Sequence, residues 1–197
     1  MYKLCKTEQS AKRQREIEHR LLALMKQKHF DDISITELCE FVGMPRKSFY
    51  RYFDSKEDAL EALIDHTLGE YSGFNKTPAE LKSRTPRREM EEYFLYWKSM
   101  GPLLDVLERS GRIGVLMDRA VAFPINDVVN MDKFLVKQDE FSKNVALKFA
   151  FAGLSSVMLA WYRDGFRTPV SDMAAAICIA LTKPLFPGLE TLGNSGK

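Results

Sequence analysis

The stretch at residues 34–56, SITELCEFVGMPRKSFYRYFDSK, constrains the fold more than any other part of the chain. Ser34 with Glu37 three residues later has the spacing of a capping box, which marks the start of a helix. Gly43 follows where that helix must end, since glycine adopts the left-handed conformation without steric cost. Pro45 suits the first turn of a second helix, where its missing N–H is no loss. Helix, glycine turn and second helix form the helix-turn-helix pattern.

Apolar spacing predicts how these two helices pack. In the first helix, Ile35, Leu38 and Phe41 recur at helical spacing and predict one buried face. In the second helix, Phe49 and Phe53 share the inward face, and we expect them in the core. The outer face of the second helix is basic and rich in hydroxyl groups, a composition that suits a nucleic-acid groove. It carries Arg46, Lys47, Ser48, Tyr50, Arg51 and Tyr52.

Charge is distributed unevenly along the chain. The formal net charge of the 197 residues is only +2, which is too small to indicate nucleic-acid binding by itself. Residues 1–56 hold 12 Lys/Arg and 8 Asp/Glu, a net charge of +4, so the remainder carries −2. A basic front and a mildly acidic remainder fit a DNA-facing head on a nearly neutral body. Chance clustering of charges is the alternative interpretation.

The rest of the chain predicts further helices and no sheet, because no stretch shows the period-two alternation of a strand. A first helix is expected over about 8–28 behind Thr7, and a connecting helix starts at Ser55. The remaining helices are expected at about 86–99, 103–110, 125–137, 140–164 and from Ser171 to just before Pro184. Breaks are expected at 72–88 and around Gly111 and Gly114. The predicted fold class is all-α, with about nine helices.

The residues that could carry catalysis or bind metal show no suitable pattern. Cys5, Cys39 and Cys178 lie far apart without a C-x-x-C pair, which argues against disulfides and zinc and favours a reducing cytosol. No metal-ligand spacing joins the three histidines, and no P-loop, G-x-G-x-x-G or G-x-S-x-G motif occurs. We therefore expect no catalytic residue, no metal, no cofactor and no enzymatic activity.

One stretch has the length of a membrane span. Residues 145–162 are almost free of charge, but Lys148 lies inside and two serines and a glycine dilute the apolar run. A helix buried on several sides in a soluble dimer accounts for the same composition, so we expect a cytoplasmic protein without a membrane segment.

The helix-turn-helix resembles the DNA-binding domain of the TetR family of bacterial transcriptional regulators, over about residues 9–65. The positions that match the family pattern are Thr36, Leu38, Cys39, Gly43, Met44, Pro45, Arg46, Lys47, Ser48, Phe49, Tyr50, Phe53, Lys56 and Glu57. Cys39 stands where the family usually has alanine, Pro45 where it has serine, and Lys47 where the residue is often small. Because Pro45 and Lys47 lie at the front of the second helix, no relative's operator sequence can be carried over.

The resemblance implies a ligand-responsive regulator, most often a repressor, that binds a palindromic double-stranded DNA operator as a homodimer. It divides the chain into a three-helix DNA-binding head at 1–54 and a helical ligand-binding and dimerisation body at 55–197. Arg46 and Lys47 are the expected contacts to base edges. The expected phosphate contacts are Thr36, Ser48, Tyr50, Tyr52 and, as the family's phosphate-touching lysine, Lys56. Arg51 is a further expected DNA-binding residue. The alternative is a co-activator or adaptor of the same fold that recruits a protein partner.

Two further predictions concern the body. An apolar pocket for a small apolar or aromatic ligand is expected at Tyr93, Phe94, Trp97, Leu104 and Leu107, with a plain core as the alternative. The last two helices are expected to pair with those of a second copy, because the final one, MAAAICIAL, is apolar on almost every face. The expected interface residues are Phe149, Gly153, Ser156, Ala160, Ile177 and Leu181.

Overall fold

The computed structural model describes residues 2, 3, 5, 7–71, 85–122 and 139–182. Within these ranges the chain folds into nine α-helices and one 3₁₀ turn without a strand, which confirms the predicted all-α class. The helices are α1 (Glu8–Met25), α2 (Ile35–Val42), α3 (Arg46–Phe49), α4 (Lys56–Glu70), α5 (Pro86–Ser99), α6 (Gly101–Arg109), α7 (Ile113–Ala122), α8 (Glu140–Arg163) and α9 (Val170–Thr182), with the 3₁₀ turn at Phe30–Asp32. The helix predicted at 125–137 lies outside the described residues.

The helices of the head begin and end where their capping residues predict. The hydroxyl of Thr7 accepts a hydrogen bond from the Ser10 N–H at the start of α1. Ser34 and Ser55 make the same bond three residues ahead, at the starts of α2 and α4. Gly43 ends α2 with a φ of 72°, the left-handed conformation that favours glycine. Local sequence signals therefore determine most of the helix bounds around the turn.

The core of the head differs from the prediction at Phe41. The buried face of α2 consists of Leu38, Cys39 and Val42, whereas Phe41 is 38% exposed and Ile35 is half-buried. The ring of Phe41 lies under the guanidinium of Arg20 of α1, at 5.4 Å from the ring centroid. The expected apolar face was thus about one residue out of register, because a cation from a neighbouring helix covers the Phe41 ring in place of the core.

The body packs α5, α6, α7 and α8 around a second set of buried aromatic and aliphatic side chains. Phe94 of α5 meets Trp161 of α8 edge-on at 5.3 Å, and Leu116 of α7 is fully buried. Helix α9 lies along α5, but only Ala174 of α9 is buried. The last helix therefore has one covered side and one uncovered side within a single chain.

Helix α7 was not predicted. The break occurs at Gly111, whose φ is 64°, while Gly114 lies inside α7. A glycine in a helix interior costs only about 1 kcal/mol, which the burial of Leu116 offsets. Likewise, Gly101 and Pro102 begin α6 directly after α5, since proline is tolerated in a first helical turn.

Two arginines of the body hold it against the head, and a third holds α4, the first helix of the body. Arg109 donates to the main-chain carbonyls of Met25 and Lys26 at the end of α1, at 2.7 and 3.1 Å. Arg112 pairs with the Asp31 carboxylate. The third, Arg119 of α7, pairs with two carboxylates of α4. These charged contacts add to an apolar core that continues from the head into the body.

The ring of Phe30 lies between two cations at the junction of head and body. The guanidinium carbon of Arg112 lies 4.8 Å from the ring centroid. The ammonium nitrogen of Lys56 lies 4.7 Å from the same centroid. Phe30 itself is fully buried, so Lys56 at the start of α4 and Arg112 just before α7 both hold the 3₁₀ turn.

Candidate DNA-binding surface

The outer face of α3 presents most of the predicted contacts to solvent. The helix is one turn long, because Phe49 and Phe53 are both fully buried and the chain continues from Tyr50 as a turn. The exposed residues of this surface are Arg46, Lys47, Tyr50 and Arg51, with Ser48 and Tyr52 half-buried, and Thr36 of α2 is exposed. We call this set, Thr36 apart, the reading surface.

The basic side chains of the reading surface carry no carboxylate partner. In the described part of the chain, Lys47 and Arg51 form no ion pair, and Arg46 donates instead to the hydroxyl of Tyr50 at 3.3 Å. This hydrogen bond raises the pKa of Arg46. Exposed cations without an internal partner are available to phosphate or to guanine edges.

The cations at the start of α1 are compensated within their own helix. Lys12 pairs with Glu8 at 2.8 Å, and Arg13 pairs with Glu16 at 2.5 Å. Among the described cations of the head that lack a carboxylate partner, three lie together on the reading surface, and Arg20 and Lys26 lie elsewhere. This distinction cannot be made from the count of basic residues.

A groove of about 520 Å³ separates α1 from the last residues of the reading surface. Its walls are polar and combine basic, acidic and hydroxyl groups: Gln9, Ser10, Lys12, Arg13, Glu16, Arg51 and Tyr52. The groove lies in the head and is distinct from the predicted ligand pocket of the body. It extends the basic surface sideways from α3 toward the start of α1.

Lys56 occupies a different environment from the other predicted contacts. Its ammonium donates to the carbonyls of Phe30, Asp31 and Ile33 at 2.9, 3.0 and 2.8 Å. An ammonium has three N–H donors, so these bonds use all of them. Lys56 therefore joins the 3₁₀ turn to the start of α4, and we assign it a structural role.

The five residues of the predicted ligand pocket come together in the body. Phe94, Trp97, Leu104 and Leu107 are buried, and Tyr93 is half-buried with its hydroxyl toward the interior. Burial raises the pKa of the Tyr93 hydroxyl, and the side chains of Ser155 and Trp97 lower it in part. The cluster is thus apolar with a few polar groups inside, a composition shared by ligand sites and by cores.

The predicted dimer residues of α8 lie on its uncovered side. Phe149 is 74% exposed, and Gly153, Ser156 and Ala160 are exposed along the same stripe. The stripe continues toward the start of α8 through Val145 and Phe141, the latter 78% exposed. We call this set the outer stripe of α8.

Helix α9 extends this uncovered surface. Leu181 is 60% exposed and Ile177 is half-buried, and Ile179 between them is exposed as well.

Among the described helices, α8 is the one that is long and apolar enough to cross a membrane. The criterion uses length and composition alone, and one such helix is weak evidence for a membrane span.

Comparison with known proteins identifies the head. The family model for bacterial regulatory proteins of the tetR family matches residues 20–63, which span the end of α1, the helix-turn-helix and half of α4. Over these residues the chain is similar to the TetR family. Its members are regulatory proteins, which confirms the prediction that the chain is not an enzyme.

The similar sequences match about a third of this chain. The chain is 36% identical over 75 residues to the HTH-type transcriptional regulator EthR of Mycolicibacterium smegmatis, covering 36% of this chain and 35% of that protein. It is 34% identical over 67 residues to EthR of Mycobacterium tuberculosis strain H37Rv, covering 34% and 31%. The chain thus matches about a third of the length of these relatives.

Solved structures extend the likeness of fold to the body. A tetR-family transcriptional regulator from Streptomyces coelicolor aligns with a TM-score of 0.57 at 21% identity, over 85% of this chain and 80% of that one. FadR from Bacillus subtilis, solved in complex with stearoyl-CoA, aligns with a TM-score of 0.53 at 10% identity, over 87% and 99%. The TetR-family fold therefore covers both head and body.

Sequence reasoning missed the contacts that join distant parts of this chain. Lys3 binds the end of the reading surface, and Tyr2 and Arg119 both bind Asp65 of α4. Arg109 and Arg112 bind the head from the body. Their partners lie 47 to 84 residues away along the chain, so no local spacing could indicate them. The exposed Phe141 and Val145 did carry a signal, since they precede Phe149 at steps of four.

We predict that Lys56→Met destabilises the fold by about 2–4 kcal/mol, because three main-chain carbonyls, two of them in partly buried contacts, lose a charged donor. Lys47→Met is the matched control and should change stability by less than about 0.5 kcal/mol, since Lys47 is exposed and unpaired. Urea unfolding of both variants measures the difference. Equal midpoints for wild type and Lys56→Met would return Lys56 to the set of phosphate contacts.

Proposed function

We propose that this TetR-family chain is a cytoplasmic, ligand-responsive transcriptional repressor that binds a palindromic double-stranded DNA operator as a homodimer. The observation that carries the proposal is the reading surface, where Arg46, Lys47 and Arg51 are exposed without a carboxylate partner. An adaptor that had lost DNA binding would have no need for this uncompensated charge. The reading surface therefore favours DNA over a protein partner.

The residues of the reading surface divide into two roles. Arg46 and Lys47 open the one-turn helix, and their side chains can pair with guanine O6 and N7 in a major groove. The Tyr50 hydroxyl accepts from Arg46 and so restricts that guanidinium. The proposed phosphate contacts, which set the register of the head on the duplex, are Thr36, Ser48, Tyr50, Arg51 and Tyr52.

We predict that Arg46→Ala and Lys47→Ala each weaken operator binding by about 1–3 kcal/mol and relax base preference at one position. Lys26→Ala is the matched control, because Lys26 is an exposed cation of the head outside the reading surface. The operator is first selected from a random DNA pool with the wild-type chain, and affinities are then measured on that sequence. Unchanged affinity and preference in both variants would show that another surface reads DNA.

Homodimerisation is proposed from the uncovered sides of α8 and α9. The outer stripe of α8 combines two exposed phenylalanines with Gly153, Ser156 and Ala160, whose small side chains let a second helix approach closely. Exposed apolar surface of this extent is usually covered by a partner. In a two-fold symmetric dimer the same surface of each protomer covers that of the other. The same symmetry would set the two heads one helical turn apart on DNA.

We predict that Ser156→Arg yields monomers, because a bulky charge at the small seam prevents close approach of the partner helix. Ser99→Arg at the end of α5 is the matched control, since Ser99 is exposed on a helix outside this surface. Light scattering gives the oligomeric state, and operator titration should show weaker binding by the monomer. A Ser156→Arg dimer with wild-type affinity would place the interface elsewhere.

Ligand response is proposed for the aromatic cluster of the body. Its polar groups, the Tyr93 hydroxyl and the Ser155 side chain, could orient a bound molecule in otherwise apolar surroundings. The likeness in fold to FadR, which was solved with stearoyl-CoA, supports a body able to enclose an apolar ligand. A regulatory ligand must bind the DNA-incompetent arrangement more tightly, because equal affinity for both arrangements would shift nothing.

We predict that the apolar dye anilinonaphthalene sulfonate binds this cluster and quenches the chain's two tryptophans, Trp97 and Trp161. Leu104→Phe should weaken dye binding because it fills the same space, at a stability cost of about 1–3 kcal/mol. Leu95→Phe, the same change on the exposed side of α5, should leave it unchanged. Dye binding that Leu104→Phe does not alter would assign the cluster to plain core.

A further inference from the structure

The residues ahead of α1 contact the end of the reading surface. The Lys3 main-chain N–H donates to the Tyr52 carbonyl at 3.0 Å. The Lys3 ammonium donates to the Tyr50 carbonyl at 2.7 Å and pairs with Asp54 at 2.9 Å. Carbonyls at the end of a helix lack intrahelical partners, and a cation there also favours the helix dipole. Lys3 thus supplies donors that a one-turn helix cannot supply for itself.

The neighbouring residue, Tyr2, contacts the junction between head and body. Its hydroxyl donates to the Asp65 carboxylate of α4 at 3.0 Å. The same carboxylate is held by Arg119 of α7, whose Nε lies 2.7 Å from Oδ1 and whose terminal nitrogen pairs with Oδ2. Burial, and then the Asp65 charge, raise the pKa of Tyr2 to about 12, so the hydroxyl keeps its proton at neutral pH.

A third contact fixes these residues along α1. The Cys5 thiol donates to the buried Gln14 side-chain oxygen at 2.8 Å. We call Tyr2, Lys3 and Cys5 the arm. Adjacent Cα atoms are about 3.8 Å apart, so little slack separates the Tyr2 contact at the junction from the Lys3 contact at the reading surface.

We propose that the arm is a positioning strap that holds the Tyr50–Asp54 corner of the reading surface and ties it to Arg119 of the body. Tyr2 and Lys3 are positioning residues that act through the reading surface and do not themselves read bases. A shift of α7 against α4 would move Arg119 relative to Asp65 and so alter the bond between Tyr2 and Asp65. Because Lys3 is adjacent to Tyr2, its bond to the Tyr50 carbonyl at the end of α3 would change as well. The inference rests on the proposed function for its DNA readout.

The competing role for Lys3 is a direct phosphate contact, since its side chain is about half exposed. The two roles differ in salt dependence. Loss of one phosphate contact reduces the slope of log affinity against log salt by about 1, whereas loss of a positioning contact leaves the slope unchanged. Tyr2 carries no charge, so Tyr2→Phe tests the strap without altering any phosphate contact.

The DNA experiment titrates the selected operator over a salt series with the full chain and its Tyr2→Phe, Lys3→Met and Lys3→Arg variants. We expect Tyr2→Phe and Lys3→Met to weaken binding roughly threefold to tenfold at unchanged salt slope, as for loss of one or two hydrogen bonds. Lys3→Arg keeps the donors and should bind within about twofold of wild type. Wild-type affinity in Tyr2→Phe, or a lowered slope in Lys3→Met, overturns the strap.

A second readout is independent of DNA. Amide hydrogen exchange of the free protein follows the turn amides of Tyr50, Arg51, Tyr52 and Phe53. Exchange should be roughly threefold to tenfold faster in Tyr2→Phe, Lys3→Met and Arg119→Gln. Arg109→Gln is the matched control, because Arg109 joins body to head at the Met25 and Lys26 carbonyls, away from the arm.

The two readouts separate failure of the strap from failure of the proposed function. If Arg119→Gln leaves these amides as protected as in wild type, the strap does not reach the body and the proposal fails. If the wild-type chain selects no operator, DNA binding fails as the proposed function. Exchange rates then still decide whether the arm holds the Tyr50–Asp54 corner.

Discussion

A helix of one turn cannot hold itself in place, and α3 is one turn long. Helix formation is cooperative with a costly nucleus, so four residues gain almost nothing from their own hydrogen bonds. The position of α3 therefore depends on what surrounds it. Phe49 and Phe53 anchor it from below, Gly43 sets its entry, and Lys3 caps its exit. The other helices of the head therefore orient the six residues of the reading surface.

The same head treats its positive charges in three different ways. At the start of α1 they are paired with acids one turn away, and on the reading surface they are left unpaired. The ammonium of Lys56 is instead consumed by main-chain carbonyls. Net charge counts all three kinds alike. Only the unpaired kind is free to exchange its water and counterions for phosphate or base edges.

Sequence alone predicted most of the secondary structure because its signals are local. Thr7, Ser34 and Ser55 cap helices through bonds three residues ahead, and α8 was expected at 140–164 and found at Glu140–Arg163. The α7 helix was missed because its stability comes from burying Leu116, which outweighs the glycine. Helix propensity is a weak guide where tertiary packing decides whether a segment is helical.

The residues of the candidate site also divide into those that local sequence spacing predicts and those that distant contacts determine. The outward direction of Arg46, Lys47 and Arg51 followed from the inward spacing of Phe49 and Phe53. The bonds of Lys56 to main-chain carbonyls could not be predicted from the sequence. These carbonyls lie 23 to 26 residues away, and any residue type has a carbonyl. Side chains that bind main-chain oxygens leave no trace in the identity of their partners.

That last property has a consequence for how such a chain can change over generations. Arg109 binds the end of α1 only through the carbonyls of Met25 and Lys26, and Lys56 binds the 3₁₀ turn in the same manner. Main-chain oxygens persist under substitution, so a change of the exposed side chain at position 26 leaves this part of the join intact. Substitutions that change the DNA preference of the head can therefore accumulate while Arg109 of the body keeps its bonds to the main chain of α1. The DNA sequence that is recognised and the contact between body and head can then evolve separately.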